Sequence, residues 1–224
     1  MRNSNSRPLA QIATGRAPGV CFAVRCFPET AKGFVPIYFD SMITTERLML
    51  RQWKEEDLAP FAAMNADPRV REFFPGLLTK EESEASARRA QAAIARDGFG
   101  MFAAEISATG EFIGFIGLTP MDFAIPGIAQ PSVEIGWRLA RAHWVKGFAT
   151  EGAHAVVRYA FETLRLKEII AITVPANIRS RRVMEKIGMT HVPVLDFDHP
   201  RIPEVHPLRR HVLYQLRDHE RESS

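Results

Sequence analysis

A chain of 224 residues, 46% hydrophobic and 25% charged, has the composition of one globular domain with a buried core. No apolar run approaches the roughly 20 residues that a membrane-spanning helix needs, so no membrane partner is predicted. The formal net charge of +3 is concentrated in residues 1–41, which hold more basic than acidic groups, and the remainder is neutral. The sequence pI of 9.1 therefore does not indicate a nucleic-acid partner for the domain.

Residues 1–41 differ from the remainder in composition. They mix Ser, Asn, Pro and Gly without periodicity and contain both cysteines, Cys21 and Cys26. A disordered leader is predicted here. Its Arg-rich, acid-poor start weakly resembles an organelle transit peptide, but we favour translation that begins at Met42. Because no cysteine follows Cys26, the domain needs no disulfide and a cytoplasmic location is predicted.

The regular pattern begins just after Met42. Alternation of apolar residues predicts a short strand over 48–52, and helical periodicity predicts a helix over Lys54–Asn65. A second helix is predicted over Lys80–Arg96, because Thr79 and Glu82 have the spacing of a capping box.

The residue pattern in the middle of the chain predicts three strands and a long helix. Two strands, Met101–Ser107 and Glu111–Leu118, are separated by a Gly-containing turn that predicts a hairpin. A loop rich in Pro and Gly leads to a strand over Ser132–Leu139. The segment Ala149–Leu164 then has an apolar face with helical spacing, which anchors it in the core.

The last third of the domain continues this alternation. A strand is predicted over Glu168–Val174, then a helix over Ile178–Ile187 that ends at Gly188. Strands near Met189–Leu195 and Leu208–Leu216 follow. The pattern predicts one α+β domain over residues 42–217, a mixed seven-stranded sheet with about four packed helices, and a short tail over 218–224.

A turn with a central glycine carries the first chemical signal. Lys146, Gly147, Phe148, Ala149 and Thr150 connect the fourth strand to a helix whose first-turn N–H groups have no intrahelical acceptor. Free amides, the positive end of the helix dipole and a glycine that permits close approach together predict a diphosphate site. The alternative is a glycine that only eases the strand-to-helix turn.

Two segments together resemble a known family. The strand–turn–helix over 134–164, followed by Asn177, Ser180 and the Met-Glu-Lys-Ile-Gly-Met of 184–189, resembles the GNAT N-acetyltransferases. Within that family the chain is similar to the RimJ/RimL-type ribosomal-protein N-terminal acetyltransferases, as is its opening segment 43–51. The resemblance implies the GNAT fold, in which a mostly antiparallel seven-stranded sheet splays between strands four and five. It also implies acetyl-CoA as co-substrate.

The resemblance further implies which residues hold the co-substrate. Trp144 stands where the family usually has Gln or Arg, so backbone amides are expected to carry the phosphates. The end of strand four is expected to bind the pantetheine arm through its backbone, and a polar residue after strand five is expected to contact it. The implied contacts are Trp137, Leu139, Lys146, Gly147, Phe148, Ala149, Thr150 and Asn177.

Acetyl transfer to an amine needs a proton acceptor and stabilisation of the leaving thiolate. Glu134 is the candidate base, acting through water, with a structural hydrogen bond or amine positioning as alternatives. Family members often use a tyrosine on the thiol side, but Ser180 is the only hydroxyl between Asn177 and Gly188. Ser180 therefore inherits that role, with local helix capping as the alternative. Without a cysteine in the domain, direct transfer in a ternary complex is predicted.

A Pro-rich loop near the expected acceptor mouth contains acidic and histidine residues. They are Asp196, Asp198, His199, Glu204 and His206. They lack helical His spacing, so no metal is predicted. His199 and His206 are candidate contacts for a cationic amine, and a solvated loop is the alternative.

We therefore predict an acetyl-CoA-dependent N-acetyltransferase whose acceptor is a primary amine, either a protein N-terminus or a small molecule. Two alternatives remain at this stage: an enzyme of the same fold that uses another acyl-CoA, and a non-catalytic CoA-binding member. A homodimer is also left open by the sequence.

Overall fold

The computed structural model describes residues 42–218. The predictions for residues 1–41 and 219–224 lie outside this part of the chain. No helix within 42–218 has both the length and the apolar character needed to cross a membrane.

Nine strands build the sheet of the described domain. They are β1 Ile43–Thr44, β2 Leu48–Arg51, β3 Met101–Ile106, β4 Glu111–Pro120, β5 Val133–Leu139, β6 Glu168–Thr173, β7 Thr190–His191, β8 Phe197–Asp198 and β9 Arg210–Arg217. The main order is β1-β2-β3-β4-β5-β6-β9-β7, and β8 pairs with β9 off this path. All seven predicted strands are present. The two additional strands, β1 and β8, have two residues each, too few to show periodicity in the sequence.

The sheet opens between β5 and β6. Every described pairing is antiparallel except this parallel one, which is joined at a single register position, Glu134 opposite Ile170. The neighbouring pair β4–β5, in contrast, has seven register positions. The expected splay between the fourth and fifth predicted strands is thereby confirmed.

Four helices pack on the sheet: α1 Leu58–Asn65, α2 Lys80–Asp97, α3 Phe148–Arg158 and α4 Ile178–Lys186. The capping box is confirmed, because the Glu82 N–H donates to Thr79 Oγ1 at 3.2 Å and the Thr79 N–H donates to Glu82 Oε2 at 2.8 Å. Two predicted helices change type at one end. A 3₁₀ turn over Glu55–Asp57 precedes α1, and a π-helical turn over Tyr159–Thr163 extends α3.

Helix α3 lies close to the sheet, which fixes where its first turn points. Its side chains Ala153 and Val156 are fully buried, as are Leu48 and Ile116 on the facing strands. Gly152 permits this approach, since a Cβ there would lie 2.4 Å from Ile116 Cδ1. The apolar face predicted for this helix is thus the face that anchors it in the core.

Candidate active site

A cavity of about 750 Å³ lies where β5 and β6 diverge. Residues 134–139 of β5 form one wall, and residues 172–174 at the end of β6 form the opposite wall. The turn before α3, the first turns of α4 and the connection between α1 and α2 complete the lining. The gap in the sheet therefore joins the glycine turn to the carboxylate of Glu134.

The glycine turn presents backbone amides to one end of the cavity. Gly147 is the N-cap of α3 and has φ 86°, a left-handed conformation that favours glycine. Among the described residues, no acceptor contacts the N–H groups of Phe148, Ala149 or Thr150. The partial positive charge at this helix start suits an anion such as a diphosphate.

A cluster of contacts with the turn between β1 and β2 holds this turn in place. Arg47 Nε donates to Glu151 Oε2 at 2.6 Å, and Thr45 Oγ1 donates to Glu151 Oε1 at 2.6 Å. Arg47 Nη1 also donates to the carbonyl of Lys146 at 3.0 Å. The family resemblance of segment 43–51 implied no role for Thr45 or Arg47. Their partner Glu151 is more than 100 residues away, so only the folded chain shows the contact.

Seven of the eight implied co-substrate contacts line the cavity, and Lys146 does not. The Lys146 side chain is exposed, and its carbonyl accepts the Arg47 hydrogen bond. Trp144, which stands where the family usually has Gln or Arg, has a structural contact at the start of the turn. Its Nε1–H donates to the Leu139 carbonyl at 2.8 Å, which ties the turn to the end of β5.

Asn177 lines the cavity and also caps α4. Its Oδ1 accepts from the Ser180 N–H at 3.3 Å, and its Nδ2 donates to Thr173 Oγ1 at 3.0 Å. The amide therefore fixes the position of α4 relative to the end of β6. Ser180 lines the cavity one turn later, and within the described domain no partner contacts its hydroxyl.

Glu134 lies in the cavity wall, on the strand face that it shares with Gly136 and Arg138. Burial, reinforced by the negative charge of Asp122, raises the pKa of Glu134 to about 7. A carboxyl group with this pKa is partly ionised at neutral pH, which suits a group that accepts a proton and passes it on.

In the Pro-rich loop before β9, the carboxylates of Asp196 and Asp198 pair with other side chains and do not line the cavity. Asp196 Oδ1 lies 2.9 Å from His191 Nε2, and Asp198 pairs with Arg209 and Arg210. His199 lines the cavity, but His206 does not: its Nδ1 accepts from the Leu208 N–H at 3.1 Å. Within residues 42–218 no group of three or more His, Cys, Asp or Glu side chains could hold a metal ion.

The remaining lining is cationic and aromatic, and the sequence did not single it out. It includes Arg69, Phe73, Phe74, Arg138, Arg179 and Arg201. Arg138 could have been noticed, because it follows Glu134 and Gly136 on the same strand face. Arg69, Phe73 and Phe74 come from the α1–α2 connection, which has no periodic pattern to place it beside β5.

Residues 47–190 match the protein family described as "Acetyltransferase (GNAT) domain". Among curated proteins, the chain is 34% identical over 148 residues to the uncharacterized protein YkkB of Bacillus subtilis (strain 168). That alignment covers 66% of this chain and 84% of YkkB.

Solved structures share the fold. An acetyltransferase (GNAT family) from Bacillus anthracis superposes with a TM-score of 0.66 at 26% identity, covering 79% of this chain and 98% of that one. RimJ from Mycobacterium smegmatis, in complex with CoA-disulfide, gives a TM-score of 0.65 at 19% identity, covering 81% and 90%. At that lower identity the likeness to RimJ extends to the fold alone.

Proposed function

Because this chain belongs to the GNAT acetyltransferase family, we propose that it transfers the acetyl group of acetyl-CoA directly to the nitrogen of a primary amine. The observation that carries the proposal is the cavity in the β5–β6 gap. At one end it has helix amides that contact no acceptor among residues 42–218, and in its wall it has a carboxyl group with a pKa of about 7.

The residues present fit acetyl-CoA. The amides of Phe148, Ala149 and Thr150 would hold the diphosphate, since they are oriented at a helix start and have no other acceptor in the described part of the chain. Trp137 and Leu139 would form the wall along the pantetheine arm, and Asn177 would contact it from the opposite side. When bound, acetyl-CoA supplies an acetyl group activated as a thioester.

Glu134 is proposed as the base. In its ionised form it would accept a proton through a water molecule, either from the substrate ammonium before attack or from the amine nitrogen as it adds to the thioester carbonyl. Ser180 would donate a hydrogen bond to the departing sulfur, because its side chain lines the cavity and no described residue contacts its hydroxyl. The only cysteines of the chain are Cys21 and Cys26, outside the described domain, which favours direct transfer over a cysteine acyl-enzyme.

These observations define the acceptor only as a primary amine. A protein N-terminus is supported by the resemblance to the RimJ/RimL type, and a small-molecule amine fits the same cavity. A cytoplasmic site of action is proposed from the absence of cysteine after Cys26.

Release of CoA thiol from acetyl-CoA, measured with the full chain and separate pools of peptides, polyamines, amino acids and amine drugs, tests the proposal. We expect release that depends on the amine and saturates. CoA binding without release in any pool would indicate a non-catalytic member of the fold. Release from a longer acyl-CoA but not from acetyl-CoA would indicate a different acyl donor.

A further inference from the structure

The guanidinium of Arg138 is buried with few partners. Its Nη1 donates to the neutral amide oxygen Asn65 Oδ1 at 2.9 Å, and its Nε is buried without any hydrogen-bond partner. Within residues 42–218 no carboxylate forms an ion pair with it. A buried cation without a counter-charge is costly, so its retention beside a cavity points to a ligand.

The surroundings of Arg138 favour an anion. The guanidinium lies over the ring of Phe74 at 4.0 Å and over the ring of Phe115 at 5.2 Å, which fixes its plane. Burial, together with the positive charge of Arg71, lowers the pKa of Arg138 to about 9. The group still remains charged at neutral pH, and a bound anion would relieve both unfavourable effects.

The charge balance of the cavity is consistent with this. Glu134 is the sole acidic side chain among the described lining residues, whereas six lining side chains are cationic: Arg69, Arg138, Arg179, Arg182, Lys186 and Arg201. Arg201 is paired with Asp122 at 2.5 Å, and Arg69 lies 3.9 Å from Glu72. Arg179 also pairs with Glu72, and Arg182 and Lys186 are exposed, so that water screens their charges. Among the described lining residues, Arg138 is therefore the shielded cation whose charge is not neutralised by an acid.

We propose that Arg138 binds an anionic group, a carboxylate or a phosphate, on the acceptor, so that the substrate is an amine that also carries a negative charge. The inference rests on the proposed function, because it assigns the second recognition point of the same site. Glu134 and Arg138 are four residues apart on one strand face, which separates their Cα atoms by roughly 13 Å. The anion of the acceptor should therefore lie several bonds from its amine.

Matched acceptors that differ only in charge test this assignment. The probes are 6-aminohexanoate and its neutral carboxamide, with 5-aminopentylphosphonate as the phosphate analogue and glycine as the short control. With the full chain, kcat/KM should be roughly 10- to 100-fold higher for a six-carbon or phosphonate anion than for the carboxamide. The better of the two long anions identifies the source of the charge, and glycine should be poorer than both.

Variants of Arg138 assign the preference to the guanidinium. Arg138→Gln keeps a donor for Asn65 and loses the charge, so the ratio of the two kcat/KM values should fall to about one. Arg138→Lys keeps the charge and loses the planar fork, so the ratio should be intermediate, which remains informative if the Gln variant does not fold. Arg88→Gln, an exposed arginine of α2 away from the cavity, should leave the ratio unchanged.

A binding measurement separates this inference from the proposed function. Calorimetric titration of the CoA-saturated chain with 6-acetamidohexanoate and its carboxamide reports anion recognition without turnover. If the chain binds the anion more tightly than the carboxamide but releases no thiol from acetyl-CoA, the anion site is supported and acetyl transfer is overturned. Equal affinities, or a loss of CoA affinity in Arg138→Gln with the acceptor preference unchanged, would overturn the anion site instead.

Discussion

Alternate residues of β5 lie on opposite faces of the strand and have different positions in the site. Glu134, Gly136 and Arg138 share the face that looks toward the α1–α2 connection, and Trp137 and Leu139 lie on the other face. Gly136 leaves room between the two charged residues, since a Cβ there would approach Met101 Cε to 3.0 Å. One short strand thus presents the proposed base, a gap and a cation in a fixed order.

The base role of Glu134 predicts a characteristic pH dependence. Glu134→Gln should lower kcat by about 10²- to 10⁴-fold, because it keeps the shape and loses the proton acceptor. In the wild-type chain, kcat/KM should fall as the pH drops through about 7, because the carboxyl group then becomes protonated. Asp122→Asn removes a negative charge that raises this pKa, so it should move the acidic limb to lower pH.

Steady-state rates between pH 5 and 9 check this expectation, with Glu84→Gln on α2, away from the cavity, as a matched control that should keep the wild-type profile. An acidic limb that persists unchanged in Glu134→Gln would assign the titration to another group. Near-wild-type turnover in that variant would remove the base role altogether.

Sequence could identify some of these residues and not others. Glu134 and Gly147 were visible because strand alternation and a glycine before a helix are local signals. The unpaired charge of Arg138 follows from the positions of carboxylates that are distant in sequence. The position of His206 outside the cavity follows from the path of a long loop. Both are properties of the tertiary structure.

Among the secondary-structure elements, α3 determines where an anion can bind. Its buried face fixes it to the sheet, Gly147 turns the chain into it, and the Arg47–Glu151 contacts hold its first turn against the turn between β1 and β2. The free amides of that turn are therefore positioned before any ligand binds, which reduces the ordering cost of binding.

Substitution of Gly147 should remove the co-substrate site. A side chain at φ 86° is strained, its Cβ would lie 3.2 Å from Arg47 Nη2, and an Asp carboxylate would repel a diphosphate. Acetyl-CoA binding to Gly147→Asp is expected to fall below detection by calorimetry. Gly110→Asp is the control, because Gly110 has φ 71° in the β3–β4 turn, with nothing near its missing Cβ.

Both variants carry a similar backbone strain, so a comparable fall in melting temperature is expected for each. Only Gly147→Asp should lose the ligand. Wild-type affinity in a folded Gly147→Asp chain would refute the placement of the diphosphate at this turn.

The ends of a helix or strand were predictable where its periodic sequence pattern was long. Helix α2 was predicted to within one residue of its end, because a capping box and helical spacing bound it. The strand predicted over Met189–Leu195 shrinks to β7, since Pro193 starts a 3₁₀ turn that interrupts it.

At the scale of the whole described domain, the proposed function depends on an interruption of the sheet. Antiparallel pairing joins β1 through β5 and again joins β6 to β9, and the single parallel contact between these halves leaves the cavity open. The order of strands and helices was sufficient to predict an α+β domain. The lining from the α1–α2 connection was not predictable, because this segment is irregular and meets β5 only in the folded chain. The loop before β9 was expected near the acceptor mouth, and it contributes His199 to the lining.

Direct transfer to an amine is the central claim, and single-turnover mass spectrometry tests it most directly. The full chain is mixed in excess over acetyl-CoA with an amine acceptor, and the masses of chain and acceptor are followed together. The acceptor is predicted to gain one acetyl group at the rate of thiol release, while the chain stays unmodified throughout. A chain that is acetylated before the acceptor, or thiol release that leaves the amine unmodified, would contradict the account.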